Sequence, residues 1–564
     1  MKMSAVHNEL ENIEERISSK GVKPEDLRRY ESLSQEMEAY ISTQGRDDRN
    51  HIMLVVPVAD RPQHLENALK SILDLCESFH YGGKKKYFTK ISVLIAEDSC
   101  KKSCRDRNKE IVEIFSQRGL RTIYFGLKEQ KEILTRLSFS AQKELDGIVG
   151  DAHSDDFSHK GASITRNITY LKLNQIKDDF DNIIFYFIDS DQEFKVNSVL
   201  DDGNVVFYPL NYFHHLDRIF TDSDIEVFTG KVVGDPPVSP SVMAANFLDD
   251  VCSFLYQVFD CEPEGSCCFH GNRKYDNKND AAYHDMADLF GFKIKSNTFD
   301  YTCNLELPHN NADCLVRFSS QLNLFFDGVH LTRKNYYQHE NIEESIVAAR
   351  TVYTGNYAFS KNALRYFIPF ANLKLRMAGP TMGRLLKNKL GSRFVSAHLP
   401  MLHERTIDNT GQSEYRAGIQ HTGKGVSLHG EFERQYFGDV MLFSVEELVK
   451  SGYPEKDLSR NDVETIVSDK EAFLRKGYSK KIQQVQGKID KLRAICKDKV
   501  HTNDISMSNI SSFIENMELN FSEESFAYQL VTNDNMESSQ IKNIIDAILD
   551  YKNELTVWSK LLEQ

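Results

Sequence analysis

No run of 18 apolar residues occurs in the 564-residue chain, so a membrane-crossing helix is not expected. The opening stretch, MKMSAVHNELENIEERISSK, is polar and acidic and lacks the apolar segment of a secretory signal. Basic residues are in deficit: 69 Lys and Arg stand against 83 Asp and Glu, a formal charge of −14. That argues against a nucleic-acid binder, which carries a basic footprint. Cysteine is sparse, at ten residues, too few for a disulfide scaffold. The clusters SCKKSC (Cys100, Cys104) and CEPEGSCC (Cys261, Cys267, Cys268) invite a zinc reading, but no Cys/His pairs at zinc-finger spacing complete either. They read as reduced, structural thiols, and the cytoplasm is the expected compartment. What is present, 40% hydrophobic and 11% aromatic residues, is a globular composition with room for roughly two to four domains.

Residues 1–48 read as a helical hairpin. Leu10, Ile13 and Ile17 form one apolar stripe, a Gly-Val-Lys-Pro break follows, and Leu27, Tyr30, Leu33 and Met37 resume it. From His51 strands alternate with helices: IMLVVPV, then RPQHLENALKSILDLCESF, then ISVLIAED, and so on to NIIFYFI. That alternation predicts an α/β fold with a mostly parallel, Rossmann-like sheet. Residues 196–442 show no clear repeat. Beyond 443 helical stripes return, at Ile482, Val485, Ile489 and Leu492 and at Ile541, Ile544, Ile545, Ile548 and Leu555. They predict an intramolecular helical bundle ahead of a dimerising coil.

The run NIIFYFIDSDQEF is a buried strand ending on Asp189 and Asp191. Unpaired carboxylates are costly in a core. Strand ends of an open α/β sheet are where ligands bind, and two hard oxygens there suit Mg²⁺ or Mn²⁺. A second Asp-x-Asp, Asp222 and Asp224 in TDSDIE, lacks that context. Three more stretches share it. VVPVADRP sets Pro57 and an Asp-Arg-Pro turn (Asp60, Arg61) after the first strand. LIAEDS ends the second on Glu97, Asp98 and Ser99. HKGASITRN places Gly161, Arg166 and Asn167 at a helix start, where an arginine can face phosphates.

The order of these motifs resembles the GT-A glycosyltransferases of the DxD-containing, family-2-like kind, well over roughly residues 50–195 and loosely over 196–440. The resemblance implies a GT-A domain over 49–442, with a nucleotide-binding half (49–195) and an acceptor-binding half (196–442), between the hairpin and the helical region 443–564. It implies transfer of a sugar from a UDP- or GDP-sugar to a hydroxyl of a glycan, lipid or small molecule, with Mn²⁺ or Mg²⁺ as cofactor. Pro57, Asp60, Arg61 and Asp98 would line the base and ribose. Arg166 would contact ribose or phosphate. Asp191 would bind the metal, with Asp189 on metal, sugar or ribose. A glycine-containing loop near the acceptor matches Gly355 and Asn356, and a metal-binding histidine matches His403 in preference to His398.

One departure stands out. The stretch LRMAGPTMGRLL lacks the carboxylate that inverting relatives use as base. Retention of configuration is therefore the expectation, with Asp327 or His330 as the base if the reaction inverts. Two other classes compare with this reading. A sugar nucleotidyltransferase would need glycine directly after the first strand, and VVPVADRPQHL has none. An inert scaffold with helical arms, through which copies would form a homo-oligomer, fits the helical ends and the missing base.

Overall fold

The computed structural model describes residues 3–45, 47–83, 88–154, 156–200, 203–221, 224–269, 301, 303, 305–332, 334–405, 407, 413, 415–497, 504–533 and 539–563. Its centre is a mixed sheet. The strands are β1 (His51–Val58), β2 (Ile91–Glu97), β3 (Arg121–Phe125), β4 (Ile183–Ile188), the two-residue β5 (Gln192–Glu193), a separate ribbon of β6 (Val196–Leu200) and β7 (Gly203–Phe207), then β8 (Val227–Gly234), β9 (Val347–Ala348), β10 (Asn356–Ser360) and β11 (Phe394–His403). The sheet order is β3-β2-β1-β4-β10-β8-β11-β5, with β9 on β11. β1 to β4 are mutually parallel, and β8 and β11 run parallel to each other. β10 lies antiparallel between β4 and β8, so every long strand except β10 points one way. The expected mostly parallel sheet is there.

Side chains of β1 and β4 alternate between two cores, as the period of two requires. Ile52, Leu54, Val56, Ile184, Tyr186 and Ile188 face one core, which the hairpin shares through Leu10, Ile13, Ile17, Leu33 and Met37. Met53, Val55, Phe185 and Phe187 face the other, which the C-terminal helices share through Ile544, Ile548 and Trp558. The two hairpin helices, Met3–Lys20 and Pro24–Ile41, thus cover one face. The helix Ser539–Leu562 covers the other. The helix Arg460–Lys497 buries Val485, Ile489 and Leu492 against Pro240–Phe259 and Asp504–Phe521, inside the same chain. Among the described residues no helix is long and apolar enough to cross a membrane.

The pairing of β1 sets up a crevice. It pairs with β2 as far as Val58 but with β4 only as far as Val55. Pro57 offers no N–H, and beyond it the chain turns at Asp60, whose φ is 52°. The carboxyl ends of β1 and β4 therefore part.

Candidate active site

A cavity of about 380 Å³ fills that parting. Pro57, Arg61, Asp98, Arg166, Asp189, Asp191 and His403 all line it. Its far wall comes from residues distant in sequence: Tyr353, Lys374, Arg376, Arg405, Arg416, Glu431 and Arg434. Seven Arg and Lys side chains face four carboxylates. In a chain of net charge −14, this is a locally cationic basin.

Asp191 is buried at the end of β4. Its Oδ2 accepts from Arg61 Nη1 at 3.1 Å and from Arg405, and lies 3.7 Å from His403 Nε2. Burial pushes its carboxyl up, but Arg405, His403 and Arg61 outweigh that and hold it well below the usual carboxylate range. Asp189 Oδ1 accepts from Arg166, which projects from the first turns of the helix Ala162–Ile176. Gly161 caps that helix at φ 102°, a conformation that glycine adopts at little cost. Gly355 packs on Asp189: a Cβ there would meet Asp189 Oδ2 and Gln192 Nε2, each at 2.7 Å.

Other expected residues are held by contacts within the protein, some at the cavity wall and some outside it. Asp98 Oδ1 accepts from Lys160 N at 3.2 Å and Nζ at 2.6 Å, and its Oδ2 from Gly161 N at 3.2 Å, so it ties down the loop before the helix. Asp60 does not line the cavity. It pairs with His159 at 2.8 Å and accepts from Lys101 N at 3.0 Å, joining three segments beneath the wall. Asn356 is fully buried, accepting from Tyr186 OH at 2.7 Å and donating to Lys231 O at 2.8 Å. That places it in the sheet interior, outside the lining of the cavity. Asp327 lies outside the large cavity and accepts from Ser413 and, at 3.0 Å, from His421. His330 is buried outside it too, its backbone N donating to Asp235 Oδ1 at 2.9 Å, and burial lowers its pKa to about 4. Of the two histidines on β11, His403 lines the cavity and His398 does not. Asp224 is exposed, and Asp222 lies outside the described residues.

No family model matches the chain. No curated protein matches it. Among solved structures it is similar, with a TM-score of 0.30 and 9% identity, to a mannosyltransferase from Pyrobaculum calidifontis in complex with GDP-mannose and Mn²⁺. That match covers 92% of this chain and 100% of that chain. A likeness so distant does not extend that protein's ligands to this chain.

The fit of a divalent cation rests on His403. Its Nδ1 meets the carbonyl oxygen of Asp235; a carbonyl only accepts, so Nδ1 carries a proton and Nε2 is the ring nitrogen turned toward Asp191. Nε2 is then the atom that would bind a metal, once free of its own proton. Asp191 and His403 suit one ion, completed by substrate oxygens and water, as such ions are commonly held. Asp189 does not join them in a three-ligand cluster among the described residues; it pairs with Arg166. The local strand-end signal found the carboxylates. It missed Arg405, Arg376, Arg416, Arg434 and Glu431, although Arg405 is only two residues past His403.

Proposed function

We propose that this chain is a nucleotide-sugar glycosyltransferase of the GT-A kind, moving a sugar from a nucleoside-diphosphate donor to a hydroxyl acceptor. One observation carries the reading. Three guanidinium nitrogens at the cavity, Arg166 Nε, Arg405 Nε and Arg416 Nη1, are buried with no hydrogen-bond partner among the described residues. Buried donors left unpaired are costly, and arginine forks fit phosphate oxygens. A diphosphate would satisfy them, beside the amino end of the helix Ala162–Ile176, whose dipole favours negative charge.

In this reading Arg166 and the helix start hold the diphosphate, and Pro57 and Val58 form the floor under the nucleoside. Asp191 and His403 would hold Mn²⁺ or Mg²⁺, which neutralises charge on the departing diphosphate. Asp189, on Arg166, sits where the sugar would lie. Gly355 leaves that carboxylate room.

The transfer breaks the bond from the anomeric carbon to phosphate and forms one to the acceptor oxygen, whose proton must go to a base. The four carboxylates of the cavity are engaged: Asp98 with Lys160, Asp189 with Arg166, Asp191 with Arg61 and Arg405, and Glu431 with Arg376 at 3.0 Å and Ser241 at 3.0 Å. Asp327 and His330 lie outside it. This supports the departing phosphate oxygen as proton acceptor, on the face the sugar leaves, and hence retention.

The test is a panel of UDP- and GDP-sugars, read by thermal shift with and without Mn²⁺ and by release of nucleoside diphosphate. One donor should raise the melting temperature and be consumed. A panel that neither stabilises the chain nor turns over would sink the proposal. For an α-linked donor, proton NMR of the first product should show the α anomer, and a β product would overturn retention.

A further inference from the structure

Behind the helix Pro240–Phe259 lies a second cluster of reactive side chains, none of which lines the cavity above. Cys267, Cys303 and Cys314 bring their sulfur atoms within 4.8 Å of one another. Cys314 and Cys303 are buried and Cys267 is half-buried. In the sequence the CEPEGSCC cluster lacked partners at finger spacing. The fold supplies them from 36 and 47 residues further on (303 − 267 and 314 − 267).

A histidine stands at the same place. His309 Nε2 is 3.3 Å from Cys303 Sγ, and His309 Nδ1 is 2.9 Å from the carbonyl oxygen of Glu306. The carbonyl accepts, so Nδ1 bears the proton and Nε2 turns its lone pair to the sulfur group. With Zn–S near 2.3 Å and Zn–N near 2.0 Å, neighbouring ligands of a tetrahedral site sit roughly 3.5–3.8 Å apart. The three sulfurs, within 4.8 Å of one another, need a contraction of up to about 1 Å to reach that range, and His309, close to Cys303 but outside that group of three, would have to swing in to complete it.

The backbone holds the two ligand-bearing segments together. Cys267 N donates to His309 O at 3.2 Å, Cys303 N to Phe269 O at 3.0 Å, and Asn311 N to Gly265 O at 3.0 Å. Asn311 Oδ1 accepts from Cys268 N at 2.9 Å. Phe254, Phe269, Tyr301 and Phe318 pack as a shell of rings 4.1–6.2 Å apart. Three thiols converging inside an aromatic shell have only weak hydrogen bonds to offer each other. As thiolates they match a soft or borderline cation, and a mixed sulfur and imidazole set favours zinc over Mg²⁺ or Mn²⁺.

We infer that Cys267, Cys303, Cys314 and His309 form a structural zinc site that clips the turn after Pro240–Phe259 to the start of the helix Asn311–Gln321. Binding releases the thiol protons to solvent and forms three Zn–S bonds and one Zn–N bond, with no change in redox state.

The experiment uses the untagged full chain, purified under reducing conditions without chelator, with metal content measured by plasma mass spectrometry. About one zinc per chain is expected, as for a closed four-ligand site. The double variant Cys303→Ser/Cys314→Ser should lose it, whereas Cys261→Ser, Cys268→Ser and Asp191→Asn should keep it. If the double variant does not fold, the wild-type chain refolded with Co²⁺ decides: it should show thiolate-to-cobalt charge transfer and tetrahedral d–d bands. Three results each overturn the site: a zinc-free chain whose ten cysteines all titrate as thiols, a disulfide between two of the three cysteines, or zinc lost on Asp191→Asn.

Discussion

The two halves of the sheet were assembled differently from the chain. From β1 to β4, the first three strands are each followed by a helix, and all four pair parallel with one another within residues 51–188. In the second half, β10 enters antiparallel between β4 and β8, and β11 returns from beyond residue 390 to lie on β8. The first half contributes the carboxylates Asp98, Asp189 and Asp191. The second contributes most of the cations that face them, Lys374, Arg376, Arg405, Arg416 and Arg434. Local pattern thus builds the negative wall of the site, and long-range return builds the positive one. Neither half alone makes the cavity.

Removing residues 1–45 asks whether the first half stands without its cover, and should have the largest effect. The hairpin buries Leu10, Ile13, Ile17, Leu33 and Met37 in the core under β1 and β4. At about 1.5–3 kcal/mol per buried side chain, that is comparable to a typical net stability of about 5–15 kcal/mol. The truncated chain should fail to accumulate as soluble, folded protein. A soluble product with an unchanged melting temperature would show the hairpin to be a free arm.

Next, the two Asp-x-Asp motifs, one from each half, can be set against each other. Asp191→Asn should lower transfer by about a hundred- to a thousandfold, the usual range for one lost electrostatic contact in a site, with the circular dichroism spectrum kept. Asp224→Asn, on an exposed residue, should change turnover by less than about twofold, as surface substitutions do. Equal losses in the two would refute the choice of site.

Arg166→Ala and Arg405→Ala remove one cation from each wall. Hydrogen bonds to charged groups contribute about 1.5–3 kcal/mol, so each should weaken nucleoside-diphosphate binding about ten- to a hundredfold by calorimetry. If only Arg166→Ala weakens it, the positive wall does not touch the donor.

The smallest expected effect is a pH dependence from the C-terminal cover. Burial, with repulsion from Asp550, raises Glu554 from 4.5 to about 8. Between those values the folded chain holds a proton that the unfolded chain has lost, so stability falls as pH rises. Glu554→Gln should flatten the fall in melting temperature between pH 6 and 9, by a few degrees. An identical pH slope in the two proteins would discard this origin.

How far the sequence could be read follows the same division. The strands around Pro57, Asp98 and Asp191 were legible because each is a short apolar run ending in a polar turn. Asn356 was misplaced because a glycine-asparagine pair resembles a loop, whereas its side chain here bridges Tyr186 and Lys231 within the sheet. The helix His429–Lys450 starts earlier than the boundary near 443. It is buried on most sides, at Phe432, Tyr436, Phe437, Val440, Met441, Leu442, Val445 and Leu448, with charged residues such as Glu431 and Asp439 interspersed, so no single apolar stripe marks its face. Cys303, Cys314 and Glu431 gain their neighbours only through tertiary contact, which no spacing rule encodes.

The insertion of β10 also bears on synthesis. Asn356 pairs with Ile188, 168 residues earlier (356 − 188), so one edge of β4 stays open while the intervening chain is made. At about 5–20 residues per second that interval is roughly ten to thirty seconds. An exposed strand edge recruits other chains, and this one ends in Asp189 and Asp191. Charged side chains blunt an open edge, and the charges at this tip are Asp189 with Arg166 and Asp191 with Arg61. Both arginines are made before β4, so the nascent chain already holds the partners that set polar groups at the tip of its open edge.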